Sequence, residues 1–427
     1  MERSIASDPA IAESWEQSFK QVEHASAAAS NLQQALAQLE AEAEPDAIQV
    51  ASALWELGQL SYALGEADAA RDQLERGLRA LSAADGGGTL RGQLQMSLAW
   101  VQRARGDFRA GATAAHSALA HIRSSVREDD QLAAAALAIA ARNHVGLGEL
   151  DAAHSCVKSA LTILARSSTP EQALNCSTWL NIAQVQFDCG SIHAALVSAR
   201  RGLVIGQYAY GRDHALVASC LSIHGACLLR LGDPENARIC LERALEGGQR
   251  ACRRMHEEIA GARSQLADAL RQNGDHAAAS AQIAHALAEL PRLCGDVTRL
   301  AAAAHTISAA LQRDQGNLPA AREQTQLALR VLDERYAKTH PARLSALNLL
   351  GAIARLQGDL AQAEATYVEA ASISGHPDAV LAARALAEVR AQRNHHGAPR
   401  NSYIRRRKPF ARSVDLARGV AKRRRRR

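Results

Sequence analysis

Glycine recurs along this chain with a period of 42 residues. One step between successive members is 41 residues and the other six are 42, through Gly65, Gly106, Gly148, Gly190, Gly232, Gly274, Gly316 and Gly358. Each of these glycines ends an apolar run of helical periodicity, where a residue with positive φ closes a helix at little cost. Six of the eight following residues are favoured helix N-caps. The spacing therefore predicts a tandem array of eight helical hairpins, each with a tight turn at its glycine.

Small residues stand at three fixed distances from every periodic glycine. Seven residues before it, five after it and twelve after it, all eight repeats carry Gly or Ala. Small side chains let two helices cross at close range, and larger ones overpack the contact. The next position is leucine in seven repeats and Ala371 in the last. Since aromatic residues make up only 3% of the chain, we expect closely packed helix backbones in place of a thick aromatic core.

This pattern resembles the tetratricopeptide repeat, whose signature has small residues at these places around a turn glycine. The repeat length of 42 is similar to that of the kinesin light chain subtype. That subtype's connector motif has counterparts in Gly211-Arg212-Asp213-His214 and Lys338-Thr339-His340-Pro341. Trp179 falls on the family's preferred tryptophan position, and we expect it to pack in the core.

The resemblance implies an all-α fold: a right-handed α-solenoid, or superhelix, of about eight hairpins with capping helices. We predict an N-terminal helical cap over residues 1–46, eight repeats over 47–376 and a C-terminal capping helix over 377–394. Caps are needed because an uncovered end exposes the stacking face of the array. Residues 395–427 are predicted to be a basic disordered tail.

In the family geometry, the first helices of the hairpins line a concave face that binds protein or peptide ligands. Their exposed positions are expected ten, six and three residues before each hinge glycine. The candidate partner-binding residues at these positions are Trp55, Tyr62, Met96, Trp100, Arg103, Arg142, Phe187, Arg271, Arg313 and Arg355. Exposed aromatic and methionine side chains at this density favour a hydrophobic peptide groove in the N-terminal half. Arg271, Arg313 and Arg355 recur at one repeat position, and such a row suits a carboxylate-rich segment.

Each half of this lining has a second interpretation. The large side chains can instead pack against an insert, the N-terminal helix or one another, and the three arginines can be ordinary solvated helix residues.

A carboxylate clamp for chaperone tails requires lysine and asparagine at the first two lining positions of one repeat. None of the eight repeats has that pair.

The sequence offers no catalytic, cofactor or metal motif. It lacks a glycine-rich phosphate loop, a zinc-protease helix and a nucleophile elbow. His224 and His305 fall on inward positions of first helices, where a satisfied core histidine is the usual case. The eight cysteines have no zinc-module spacing, and we expect them to be reduced and mostly buried. We therefore predict a protein that is not an enzyme and has no cofactor or small-molecule substrate.

The C-terminal tail concentrates positive charge. Residues 395–427 hold 13 of the 50 Lys and Arg residues but one of the 44 acids, so the remainder of the chain is mildly acidic. The candidate polyanion-binding residues are Arg405, Arg406, Arg407, Lys408, Lys422, Arg423, Arg424, Arg425, Arg426 and Arg427. The charge of this segment is compatible with binding to nucleic acid or an anionic surface, and with a targeting signal. Non-specific polyanion binding and self-inhibition by docking on the acidic solenoid are the other interpretations.

We expect a cytoplasmic protein, because residues 1–10 do not resemble a signal peptide and no uncharged stretch reaches transmembrane length. The leading hypothesis is a non-catalytic scaffold or adaptor that binds a partner peptide or helix in its concave face. The alternative is an adaptor that associates with nucleic acid or an anionic surface through its tail. A third class is the sensor portion of a regulator.

Overall fold

The fold is known from a computed structural model, which describes residues 26–42, 45–82, 87–124, 130–166, 173–248, 253–294 and 298–397. All regular secondary structure in these ranges is helical. The predicted cap residues before 26 and the candidate polyanion-binding residues from Arg405 to Arg427 lie outside these ranges.

The helices follow one another as antiparallel pairs. Helix α1 covers residues 26–40. The eight hairpins are α2 (Ala47–Ala63) with α3 (Ala67–Ser82), α4 (Gly88–Arg105) with α5 (Phe108–Ser124), α6 (Asp130–Leu147) with α7 (Leu150–Arg166), α8 (Ala173–Asp188) with α9 (Ile192–Tyr210), α10 (Ala215–Arg230) with α11 (Pro234–Gly248), α12 (Arg253–Gln272) with α13 (His276–Cys294), α14 (Arg299–Asp314) with α15 (Leu318–Asp333), and α16 (Ala342–Leu356) with α17 (Leu360–Ala371). Helix α18 (Pro377–Gly397) follows the last hairpin. The predicted number of hairpins is confirmed.

The periodic glycines close the first helix of every hairpin. All eight have positive φ, between 74° at Gly148 and 89° at Gly274. At Gly106 the glycine N–H donates to Arg103 C=O at 3.0 Å, and the next N–H, of Asp107, donates to Gln102 C=O at 2.8 Å. This pair of bonds is the Schellman motif, which satisfies carbonyl groups left over at the helix end. The predicted helix–turn–helix is confirmed.

Side-chain caps begin several of the second helices. Asp233, Asp275, Asn317 and Asp359 each accept a hydrogen bond from the backbone N–H three residues ahead. Ser191 stands at the same position without such a bond. A cap of this kind is worth about 1 kcal/mol to its helix.

The small-residue positions form the seam between the two helices of each hairpin. Ala183 and Ala195 in the fourth hairpin are fully buried. A Cβ atom added at Gly225 would lie 2.7 Å from Leu241 Cγ, and one added at Gly351 would lie 2.6 Å from Tyr367 Cζ. Since real Cβ contacts are longer, the seam admits only the smallest side chains.

Both ends of the array are covered by additional helices. Leu36 of α1 packs with Val50, Leu54 and Leu57 of α2. Residues Ala382 and Val389 of α18 share a core with Tyr367 of the last hairpin. These contacts remove the stacking faces from water, as the capping argument requires. The division into units at residues 46, 376 and 394 stays a prediction.

The C-terminal part of the array folds back onto the hinge turns of earlier hairpins. Arg335 donates to Ala104 C=O at 3.1 Å, and the rings of Phe108 and Tyr336 stack with centroids 5.3 Å apart. Asp188 pairs with Arg299 at 3.8 Å. A Cβ atom at Gly190 would lie 2.6 Å from Pro377 Cδ.

Arg230 and Asp378 complete this set, with Arg230 Nη2 donating to both carboxylate oxygens at 2.8 and 2.9 Å. We call these interactions the closure contacts. They join hairpins 2, 4 and 5 to the start of hairpin 7, to the connector that precedes α16 and to the start of α18, and the repeat pattern did not predict them.

We expect Asp378→Asn to loosen the closure contacts while leaving the helices intact. The substitution removes the charge facing Arg230, and the carboxylate is well shielded, at 14% side-chain exposure. Amide hydrogen exchange should accelerate at the start of α18 and at the turn around Gly190. Asp72→Asn is the matched control, because Asp72 is exposed and pairs with Arg71, its neighbour on the same helix. Equal exchange in both variants would contradict a closing role for this pair.

Histidine side chains cap the N-termini of three helices. His214 Nδ1 accepts from Leu216 N–H at 3.2 Å, His340 Nδ1 from Ala342 N–H at 3.2 Å, and His376 Nδ1 from Asp378 N–H at 3.1 Å. The two connector motifs noted in the sequence therefore supply helix N-caps. Only an unprotonated Nδ1 can accept this bond, so each cap requires a neutral ring nitrogen.

Candidate functional site on the concave face

The ten predicted partner-binding residues all lie on first helices of hairpins, and all are half-buried. A side chain whose only role is packing is usually fully buried, and a side chain that contacts only water is usually exposed. Their intermediate exposure means that each has one part in contact with the fold and another part at the surface.

The large side chains of the first two hairpins link neighbouring helices. Trp55 Nε1 donates to Ser97 Oγ at 3.0 Å, and the Tyr62 hydroxyl donates to Trp100 C=O at 3.3 Å. Met96 and Trp100 also pack against a core cluster that runs through hairpins 2 to 4. These contacts agree in part with the interpretation that the large side chains pack against one another, and each of the four keeps part of its surface exposed. We call Trp55, Tyr62, Met96 and Trp100 the aromatic zone.

Arg142 and Phe187 extend this line into hairpins 3 and 4. The Arg142 guanidinium lies over the Trp100 ring, 5.2 Å from its centroid, and donates to Asn181 Oδ1 at 3.0 Å. An arginine over tryptophan is a favourable cation–π arrangement. Phe187 packs against the core of its own hairpin. Arg103 is also half-buried, and its charge helps to lower the pKa of His340.

The arginine row of the C-terminal half carries internal carboxylate partners. Arg271 binds Asp268 and Asp314, Arg313 binds Asp314 at 2.6 Å, and Arg355 binds Glu388 at 3.1 Å. Burial opposes the charge of Asp314, but Arg313 and Arg271 outweigh it and lower the pKa of its carboxyl. An acidic ligand must therefore compete with these carboxylates for the row.

The middle of the lining is covered, which corrects the expectation that all three lining positions stay exposed. Ala138, Val145, Leu180, Gln184 and Leu229 are each 8% exposed or less. These covered positions lie in hairpins 3 to 5, where Arg142 and Phe187 are the half-buried exceptions. The other eight predicted partner-binding residues lie on hairpins 1 and 2 and on hairpins 6 to 8.

A shallow depression of about 800 Å³ lies beside the second hinge, and Gln95, Gln102, Phe108 and Leu147 are among its lining residues. It contains none of the predicted partner-binding residues.

Trp179 is 7% exposed with Arg201 over its ring, which confirms its predicted packing role. His305 Nδ1 contacts Gln324 Oε1 at 2.9 Å, as expected for a satisfied histidine. Cys156, Cys176, Cys189, Cys220 and Cys227 are buried free thiols, also as predicted.

Comparison with protein families agrees with this architecture. The family model described as tetratricopeptide repeat matches residues 174–250 and 299–375. These two segments are tetratricopeptide repeats, and helical hairpins of the same kind make up the rest of the array. A comparison with curated protein sequences finds no match. The assignment to the 42-residue kinesin light chain subtype stays a prediction.

Solved structures of Rap proteins show the same kind of fold. A Rap protein complexed with competence and sporulation factor superimposes with a TM-score of 0.52 at 16% identity, covering 82% of this chain and 99% of that chain. The Rap conjugation gene regulator of the plasmid pLS20, in complex with a Phr peptide, gives a TM-score of 0.52 at 15% identity, covering 67% of this chain and 75% of that chain. The apo form of RapI gives 0.50 at 15% identity, covering 66% and 98%.

The fold class is thus an all-α tetratricopeptide solenoid of the protein-interaction type. Among the described helices, none has both the length and the apolar character that crossing a membrane requires.

Proposed function

We propose that this chain is a non-catalytic, cytoplasmic adaptor that binds a peptide or a helix of a partner protein on its concave face. The observation that carries the proposal is the aromatic zone, together with Arg103 and Arg142. Large side chains with one packed face and one accessible face are the usual anchors of protein interfaces. The pLS20 regulator, which shares the fold, was solved in complex with a peptide.

The packing of the aromatic zone favours binding without a large rearrangement. Hydrogen bonds already fix Trp55 and Tyr62 against the second hairpin. A side chain that is ordered before binding loses little further rotamer freedom when the ligand arrives. An extended peptide or one helix face would therefore find a preformed surface of aromatic rings with cationic neighbours.

The arginine row supplies a second contact area for an acidic part of the same ligand. Arg313 and Arg355 each keep 30% of their side-chain surface exposed. Because Asp314 and Glu388 already neutralise the row, its contribution should lie more in orientation of the ligand than in affinity.

Trp100→Ala and Arg313→Ala test the proposal on the full chain. Peptides selected by display against the wild-type protein should bind Trp100→Ala at least about tenfold more weakly, because a tryptophan anchor is lost. Arg313→Ala should weaken acidic peptides by a smaller factor. Fluorescence anisotropy with labelled peptides measures both effects, and circular dichroism should show unchanged helicity.

Matched control variants lie on second helices. Tyr208 is 78% exposed on α9, and Arg330 is exposed on α15. Tyr208→Ala and Arg330→Ala should leave peptide affinity unchanged. If Trp100→Ala and Arg313→Ala also bind every selected peptide as the wild type does, the concave face is not the binding site.

The alternative proposal concerns the basic tail, from Arg405 to Arg427, which would bind nucleic acid or an anionic surface. A chain shortened to residues 1–394 separates the two proposals. Peptide binding should survive the truncation, whereas salt-dependent binding of nucleic acid or anionic vesicles should be lost. Nucleic-acid binding that persists without the tail would contradict the alternative.

A further inference from the structure

Two histidines and a cysteine from three different helices meet at the junction of the second and third hairpins. His116 lies on α5, His144 on α6 and Cys156 on α7. The two Nε2 atoms are 3.1 Å apart, and the three potential ligand atoms all lie within 4.8 Å of one another. The sites range from exposed at His116 to buried at Cys156, so the cluster is open on one side.

A carboxylate holds the central ring. Glu149 Oε2 lies 2.8 Å from His144 Nδ1, on the side of the ring opposite His116. This bond favours the tautomer with the proton on Nδ1, which leaves the Nε2 lone pair directed at the cluster. A carboxylate behind a ligating histidine is the common outer-shell arrangement of protein zinc sites.

No other junction in the array has this combination of residues. The three repeat positions are ten residues after one hinge glycine and four before and eight after the next. Elsewhere they are occupied by Glu75, Gln102 and Ala114; Lys158, Gln186 and Ser198; Arg200, Leu228 and Cys240; Glu242, Leu270 and Gln282; Ala284, Gln312 and Gln324; and Gln326, Ala354 and Thr366.

The fourth hairpin brings two of these repeat positions together in the same way. There Ser198 Oγ donates to Gln186 Oε1 at 2.7 Å, from the positions that Cys156 and His144 occupy in the third hairpin. Two of the positions therefore converge in the fourth hairpin, and at the junction of hairpins 2 and 3 the same two positions carry metal-ligating side chains.

We propose that His116 Nε2, His144 Nε2 and Cys156 Sγ bind one Zn²⁺ ion that ties the second hairpin to the third. Imidazole nitrogen with thiolate is a typical zinc donor set, and tetrahedral ligands at about 2.0–2.3 Å place two nitrogens roughly 3.3 Å apart. The observed Nε2–Nε2 distance needs almost no adjustment, and the thiol, within 4.8 Å of both nitrogens, must approach by about 1 Å at most. The open side leaves the fourth position to water.

The protonation chemistry sets a direction for the pH dependence. Burial raises the pKa of the Cys156 thiol, so zinc must displace its proton to form the thiolate. Burial and the neighbouring His144 lower the pKa of His116, which favours the neutral ring that a metal requires. One proton leaves for each ion bound, and binding tightens as the pH rises.

A simple hydrogen bond is the rival explanation of the short distance. With the Nδ1 proton of His144 directed at Glu149, its Nε2 can accept from the Nε2–H of His116. That arrangement needs no role for Cys156, so the thiol discriminates between the two explanations.

The test uses the untagged full-length chain after dialysis against a chelator. Calorimetric titration with Zn²⁺ alone should show one equivalent bound, and Co²⁺ should give a thiolate-to-metal charge-transfer band in the near ultraviolet. His116→Ala and Cys156→Ser should each weaken zinc binding at least about tenfold, and Cys156→Ser should abolish the band. His116 is exposed, so its replacement leaves the fold intact and keeps the test decisive if Cys156→Ser is unstable.

His154→Ala on α7 and Cys240→Ser on α11 are the matched controls, and both should bind zinc as the wild type does. Absence of zinc binding to the wild-type chain would overturn the proposal. So would binding that His116→Ala and Cys156→Ser leave unchanged, since the hydrogen bond would then account for the cluster.

Discussion

Replacement of Leu241 by alanine is expected to lower the free energy of unfolding of the fifth hairpin by about 3 kcal/mol, within the range of about 2–5 kcal/mol for such core truncations. Leu241 lies on α11, is fully buried and fills the space above Gly225 on α10. The seam cannot collapse onto the cavity, because Gly225 has no side chain to move into it. Loss of the transferred methyl groups and the residual cavity both contribute to the cost.

Chemical denaturation followed by circular dichroism measures this loss, and hydrogen exchange locates it. In a solenoid each hairpin contacts its neighbours, so faster exchange should centre on α10 and α11 and decline with distance along the array. Leu356→Ala is the control at a leucine that is 63% exposed, where we expect a change below about 0.5 kcal/mol. Equal losses in the two variants would show that the seam does not depend on close packing.

Acid is expected to destabilise the fold through the histidine caps. Burial lowers the pKa of His340 to about 3, with Arg299 and Arg103 adding to the effect. Burial likewise lowers the pKa of His214 and of His376. Between the folded pKa and the unfolded value of about 6.5, the unfolded chain binds more protons than the folded chain. The free energy of unfolding should therefore be greatest above about pH 6.5 and fall as the pH drops, by up to about 1.4 kcal/mol per pH unit for His340.

His340→Asn separates this effect from other titrations. Asparagine can still accept the N–H of Ala342 as an N-cap, but it does not titrate. Denaturation between about pH 7.5 and pH 5 should give a shallower dependence for the variant than for the wild type. His193→Asn, at an exposed position on α9, should leave the dependence unchanged. If the free energy of unfolding of His340→Asn had the same pH dependence as that of the wild type, the buried histidine cap would not be the cause of that dependence.

The sequence predicted the parts of this fold that are local and repeated. The hinge glycines needed positive φ, and the seam positions needed small side chains, so both could be read from 42-residue periodicity. Caps at Asp233, Asp275, Asn317 and Asp359 follow from short-range chemistry. Histidine caps were missed because histidine is not a usual N-cap type, and its role at His340 depends on burial.

The parts that sequence reasoning could not reach depend on how small rotations accumulate along the stack. The closure contacts join residues such as Ala104 and Arg335, which are 231 positions apart. No periodicity specifies that meeting, and the burial of Val145 and Leu180 was likewise not predicted. The cluster of His116, His144 and Cys156 escaped detection for a related reason, because its members come from three helices and follow no ligand spacing.

The closure contacts also limit how this array could change its length. In an open solenoid, a hairpin can be gained or lost at little cost, because only adjacent units touch. Here Arg230 must meet Asp378, and Gly190 must accommodate Pro377. Deleting or duplicating one 42-residue unit between them would displace every such pair at once. The number of hairpins therefore cannot change without breaking these contacts, which lie outside the repeating pattern.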